Sequence, residues 1–169
     1  MSIAVRHRLA VEALALSGNE KVLEIGCGHG IATRLVLERL TTGRVTALDR
    51  SEKMILSLKG AAPDAGERLR TIAAAFEDVD WSDQKFDAIF AVNVDLNLRL
   101  DTRWAPLVRG LLEPNGRLVL AFDPPPRSSK ADGFAKLSQS RLEAAGFAVE
   151  VRSGEAAVTL IYARLGQPE

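Results

Sequence analysis

The segment KVLEIGCGHG, residues 21–30, is the strongest constraint on the fold of this chain. A short apolar run of strand length enters three closely spaced glycines, Gly26, Gly28 and Gly30. It leaves them as a helical pattern carried by Ile31, Leu35, Val36 and Leu40. An apolar run bounded by glycine suits a parallel strand buried on both faces. Glycine admits positive φ and close approach of the backbone to a ligand, while the free N–H groups at a helix start favour an anionic group such as a carboxylate or phosphate. Tight turns also need glycine, so a structural reading stays open; the order strand, glycines, helix is the informative part.

RVTALD repeats the strand signal after Thr41-Thr42-Gly43 and ends at Asp49. A carboxylate there lies at the carboxyl edge of a parallel sheet, beside the glycine turn, and can accept from both hydroxyls of a ribose. Its plainer role is to cap the helix that starts near Ser51, itself a good N-cap residue, and runs to about Lys59. After a loop at Pro63-Asp64, LRTIAAA reads as a weaker third strand and FDAIFAV as a fourth. Asp101 is a candidate cap for a helix carrying Trp104, Leu107, Val108, Leu111 and Leu112, which stops at Glu113-Pro114-Asn115-Gly116 before the strand RLVLAF.

Beyond the loop PPPRSSKADG comes a helix from about Phe134 to Ala145, closed by Gly146. Two strand-like runs, FAVEVRS and AAVTLIYARL, then meet through Gly154-Glu155 as a hairpin. At the N-terminus Val5, Leu9, Ala13 and Leu16 share one helical face, stopped by Ser17-Gly18-Asn19. The pattern predicts one domain, 1–169, of the doubly wound α/β class: a mostly parallel sheet with helices on both faces and an antiparallel C-terminal hairpin. The proline loop at 124–126 is expected over the carboxyl edge of the sheet.

Lys plus Arg equals Asp plus Glu at 22 each, so no global field favours nucleic acid as a partner. The sole cysteine, Cys27, can form neither an intramolecular disulfide nor a thiolate metal cluster, and no metal is expected. The N-terminal segment, broken by Arg6, His7, Arg8 and Glu12, reads as neither a signal peptide nor a membrane span. A cytoplasmic protein is the expectation.

V-L-E-I-G-C-G-H-G together with V-T-A-L-D-R-S-E-K-M resembles the class I S-adenosylmethionine-dependent methyltransferases, and L-L-E-P-N-G-R-L-V-L is similar to that family's turn into its fifth strand, with Asn115 in place of a glycine. The resemblance covers nearly the whole chain and implies a seven-stranded sheet. It implies that Glu24 helps hold the cofactor's amino group, with Gly26, Cys27, Gly28 and Gly30 lining its methionine portion. Asp49 would take the ribose and Arg50 would lie along the adenine. The family's adenine-binding aspartate is missing: Ala75 stands at the aligned position, leaving the Phe76 backbone, or Glu77 or Asp78 in a shifted register. The segment after the fourth strand, with Asn93 and Asp95, would run beneath the sulfonium and face the acceptor.

No base is obvious. His29, Asn93 and Asp95 are the candidates, and a turn-filling histidine is the plainer account of His29. Cys27, Trp81 and Trp104 read as packing residues. Because the cofactor already carries an activated methyl group, alignment for in-line transfer is the main demand and a base is optional. A small-molecule acceptor is expected; a homodimer is left open. A nicotinamide-dependent oxidoreductase fits less well, since its fingerprint wants a third glycine where Ile31 stands. A cofactor-binding scaffold without catalysis is the alternative from another class.

Overall fold

The computed structural model describes residues 4–123, 130–153 and 157–166. The elements are α1 (Val5–Ala13), β1 (Lys21–Ile25), α2 (Ile31–Arg39), β2 (Arg44–Asp49), α3 (Glu52–Ala61), β3 (Leu69–Ala73), β4 (Phe86–Val92), α4 (Leu96–Leu100), α5 (Trp104–Leu111), β5 (Leu112–Phe122), α6 (Lys130–Ala144), β6 (Phe147–Ser153) and β7 (Thr159–Leu165). Short 3₁₀ turns at Pro63–Arg68 and Phe76–Asp78 flank β3.

Seven strands form one sheet in the order β3-β2-β1-β4-β5-β7-β6, with β7 antiparallel to both its neighbours and the rest parallel. The chain leaves β1 toward β2 on one side and returns to β4 on the other, so a crevice opens at their carboxyl ends, where ligands bind in such sheets. Alternate residues of β4 explain why both faces must be covered. Ala88, Phe90 and Val92 join one cluster with Ala10, Val11 and Leu14 of the α1 region and Val36 of α2, while Ile89 and Ala91 join another with Trp104 and Val108 of α5 and Leu142 of α6. β3 is only half-buried because it is an edge strand, which accounts for its weak sequence signal.

Four expectations need correction. Helix α1 ends at Ala13, and its fully buried residues are Ala10 and Val11, with Leu14 at its C-cap; Leu9 and Ala13 of the expected stripe pack half-buried against the same cluster. Arg117 of β5 donates to the Leu14 and Ala15 carbonyls and stops the helix there, and Leu16 packs from the loop. Asp101 does not cap α5: it has φ 52 and ends α4, a helix that the apolar spacing around it does not announce. Ser51 precedes α3 without a side-chain cap, and α6 starts at Lys130, ahead of Phe134. At the β5 turn, Asn115 is not in the left-handed region; the constraint falls on buried Gly116, where a Cβ would meet the Glu113 carbonyl at 2.8 Å. The proline loop at 124–126 and the hairpin turn at Gly154-Glu155 lie outside the described residues.

One buried polar knot holds α4 to its neighbours. Asn97 accepts from Trp104 Nε1 at 3.0 Å and from Arg141 at 2.9 Å, and donates to Ser138 Oγ at 2.7 Å. An unpaired buried donor costs about 1–3 kcal/mol. Asn97→Ala strands the Trp104 indole and is expected to lower stability by about 2–3 kcal/mol in urea unfolding; an unchanged midpoint would show the knot to be idle.

Candidate functional site

The turn after β1 is pinned to β2 by backbone and carboxylate together. Gly26 and Cys27 N–H both donate to the Leu48 carbonyl, at 2.8 and 2.9 Å. Asp49 Oδ2 accepts from Gly28 N–H and Oδ1 from Ser51 N–H, each at 2.9 Å. Asp49 therefore does supply the bond expected of a helix-start residue, yet a carboxylate offers about four lone-pair directions and two remain. All three glycines have positive φ. At Gly26 a Cβ would lie 2.5 Å from Val94 Cγ2, whereas Gly28 has open space where a side chain would stand.

A cavity of about 290 Å³ sits at this corner, bounded by Gly26, Asp49 and Arg50 on one side, Ala74 and Phe76 on another, and Asn93, Val94 and Asp95 on the third, with Arg99 at its edge. The structure thus brings together Gly26, Asp49, Arg50, Phe76, Asn93 and Asp95 around one space. Ala75 lies between two lining residues without lining it, and Glu77 forms an ion pair with Arg99 at 3.2 Å. Glu24, Cys27, Gly28 and Gly30 stand behind or beside the cavity. Val94 and Arg99 were missed from sequence. Asp95 followed by LNLRL was the available signal, because its carboxylate caps α4 through Asn97 and Leu98 N–H, at 3.0 and 3.2 Å, and that helix carries Arg99.

Asn93 has φ 55, a strained conformation for a residue with a side chain, and it is held by two bonds. Its N–H donates to the Ala121 carbonyl and its Oδ1 accepts from Asp123 N–H, both at 2.8 Å, so the ends of β4 and β5 are locked together. His29 is exposed and paired with Ser57 Oγ at 2.9 Å, away from the residues that line the cavity. Trp81 and Trp104 are core residues.

The Cys27 thiol is pushed far up by burial and by the Glu24 and Asp49 carboxylates, which removes it as a nucleophile. Burial likewise raises the Glu24 carboxyl to about 8; its hydrogen bond from Thr33 Oγ1 opposes this and Asp49 adds to it. Among the described residues, no group of three or more His, Cys, Asp or Glu is disposed to hold a metal, and no helix is long and apolar enough to cross a membrane.

Residues 22–116 match the family model described as a methyltransferase domain. The chain belongs to the class I S-adenosylmethionine-dependent methyltransferase family. Within this family, trans-aconitate 2-methyltransferase of Escherichia coli (strain 55989 / EAEC) is 36% identical over 125 residues, 69% of this chain and 46% of that protein. The chain therefore spans about half the length of the curated relatives it matches. A solved S-adenosylmethionine-dependent methyltransferase from Aquifex aeolicus has the same fold, with TM-score 0.79 at 16% identity over 95% of this chain and 89% of that one. So does the Burkholderia thailandensis 1,6-didemethyltoxoflavin-N1-methyltransferase, solved with S-adenosylhomocysteine, with TM-score 0.73 at 22% identity over 96% and 79%. The nicotinamide alternative is not favoured by the methyltransferase match.

Glu24 makes the stability of this methyltransferase domain depend on pH in a definite direction. Its carboxyl rises from 4.5 to about 8 on folding, so the contribution of its protonated form is complete below the unfolded value and is lost as pH rises through about 8. Glu24→Gln removes this titration. The stability of the variant relative to the natural protein is expected to grow steadily between about pH 5 and pH 8 in urea unfolding; a constant difference across that range would mean that Glu24 ionises freely in the fold.

Proposed function

We propose that the protein is an S-adenosylmethionine-dependent methyltransferase that acts on a small-molecule acceptor in the cytoplasm. The observation that carries the reading is Asp49, held at the rim of a cavity with unused lone pairs beside the glycine turn. The residues present fit the cofactor. Two free hydroxyls of a ribose match the Asp49 carboxylate, a purine would be lined by Arg50, Ala74 and Phe76, and the Gly26–Gly28 backbone can approach an amino acid closely.

Bound S-adenosylmethionine supplies a methyl group on a positively charged sulfur. The chain's own residues then bind, orient and exclude water. Asp49 would hold the ribose, and Asn93, fixed by β5, would help align an acceptor with the methyl group for in-line attack. Glu24 lies behind the glycine turn as a buried carboxyl that a cationic amino group would draw into its ionised form. A small acceptor is supported by the balanced charge of the chain and by a relative named for a small molecule, trans-aconitate.

Asp49→Ala is expected to weaken S-adenosylmethionine binding about 10- to 100-fold in calorimetry, the loss of one or two charge-assisted bonds. With methyl-labelled cofactor and an extract of cells lacking the protein, label is expected in the small-molecule fraction and to depend on Asp49. Label in protein or nucleic acid instead would retain the enzyme and reject this acceptor class. Binding without label would leave the cofactor-binding scaffold standing, and absence of both would overturn the methyltransferase reading.

A further inference from the structure

A second cavity, of about 340 Å³, lies at the end of the sheet opposite the glycine turn. Lys21 and Arg44, the first residues of β1 and β2, line it, together with Thr46, Arg70 and the turn Asp83–Lys85 that leads into β4. Methyl transfer at the carboxyl ends of the strands makes no use of it.

The strand register sets its chemistry. Lys21 of β1 pairs with Arg44 of β2, and Thr46 of β2 pairs with Arg70 of β3. Arg44 and Thr46 are two apart on one strand, so all four side chains belong to one face of the sheet. From the spacing of strands and residues, the Arg44 Cα stands about 5 Å from that of Lys21 and about 8 Å from that of Arg70. Like charges set this close on neighbouring strands repel each other.

Nothing in the fold neutralises them. Among the described residues the side chains of Lys21, Arg44 and Arg70 make no ion pair or hydrogen bond, although the Glu67 and Asp83 carboxylates line the same cavity. Lys85, the fourth cation there, donates to the Gly110 carbonyl. Thr46 stands level with Arg70 and is only 6% exposed, yet its hydroxyl makes no hydrogen bond among the described residues. A polar group buried to that degree is ordinarily bonded. Two arginine forks, an ammonium and a hydroxyl are all donors, and together they suit an anion with several oxygens and more than one charge, which a phosphate has and a single carboxylate lacks. The two carboxylates would repel a bare anion, but they accept from hydroxyls, and the volume leaves room for a small group bearing them.

We propose that this cavity binds a small hydroxyl-bearing phosphate ester, with the phosphate on Lys21, Arg44, Arg70 and Thr46 and the hydroxyls toward Glu67 and Asp83. The site is separate from the cofactor cavity and does not rest on the methyltransferase reading.

The full chain is titrated with ribose 5-phosphate, inorganic phosphate and succinate at matched ionic strength, and its amide resonances are followed by nuclear magnetic resonance. Ribose 5-phosphate is expected to bind saturably with a Kd below about 1 mM, at least about threefold tighter than phosphate or succinate, and to move the amides of Lys21, Arg44, Thr46 and Arg70. Arg44→Gln and Arg70→Gln are each expected to weaken it about tenfold or more, the worth of a charge-assisted bond, and Thr46→Val about threefold or more. Both arginines are exposed and each variant removes a like-charge contact, so neither is expected to unfold at a lower temperature than the natural protein. No saturable binding up to about 10 mM, shifts confined to other residues, or unchanged affinity in both arginine variants would overturn the site. Equal binding of inorganic phosphate would overturn the ester, and equal binding of succinate would overturn the phosphate.

Discussion

The functional half of this fold depends on the pinning of the β1 turn to the end of β2. Four backbone N–H groups, from Gly26, Cys27, Gly28 and Ser51, converge on the Leu48 carbonyl and the Asp49 carboxylate. These bonds bring a left-handed glycine turn, the start of α2 and the start of α3 to one point. Side chains at Gly26 and Gly30 would collide with Val94 and Leu58, so the turn can lie this close to β4 and α3 only without them. The same carboxylate organises the loop and keeps lone pairs unused.

The opposite wall is built differently, by strain and side-chain bonding. Asn93 leaves β4 in a left-handed conformation that its bonds to Ala121 and Asp123 hold in place, and Asp95 then starts α4. The Asn97 knot carries that wall through to α5 and α6. Across the mouth, Arg99 and Glu77 pair at the edge of the cavity; being about one-third exposed, they contribute little stability and are free to part. The cavity therefore has one side fixed by backbone bonds at the glycine turn and a wall whose outer edge is held weakly.

Charge is distributed unevenly around this cavity. Two carboxyls, Glu24 and Asp49, stand at the β1 and β2 strands beside the glycine turn, one buried and one half-exposed. At the ends of β4 and β5 the charges of Arg6 and Asp123 pair, and burial lowers the pKa of the His7 imidazole beside Arg6. The apolar side of the short α1 joins the core with α2, and Arg6 in its first turn pairs with Asp123 at the end of β5.

Much of this was legible in the sequence because it depends on local signals. The strand, glycine and helix order around Gly26–Gly30, the placement of Asp49 at the end of β2 and the apolar run of β4 each follow from period, turn residue and burial within a few positions. The closing hairpin was legible for the same reason, from two strand-like runs with a short turn between them. What only the tertiary structure decided are the features that depend on partners distant in the chain. Helix α4 is held by Ser138 and Arg141, some forty residues on; α1 is stopped by Arg117; and Arg6 meets Asp123, which no local spacing could connect to it. Asp101 was misread for that reason, since a short polar residue ahead of an apolar pattern looks alike at a helix start or just past a helix end. Local sequence determined the strands, the glycine turn and every helix but α4; long-range contacts decided how α4 and the wall opposite the glycine turn are assembled, because such bonds form only once the sheet has brought their ends together.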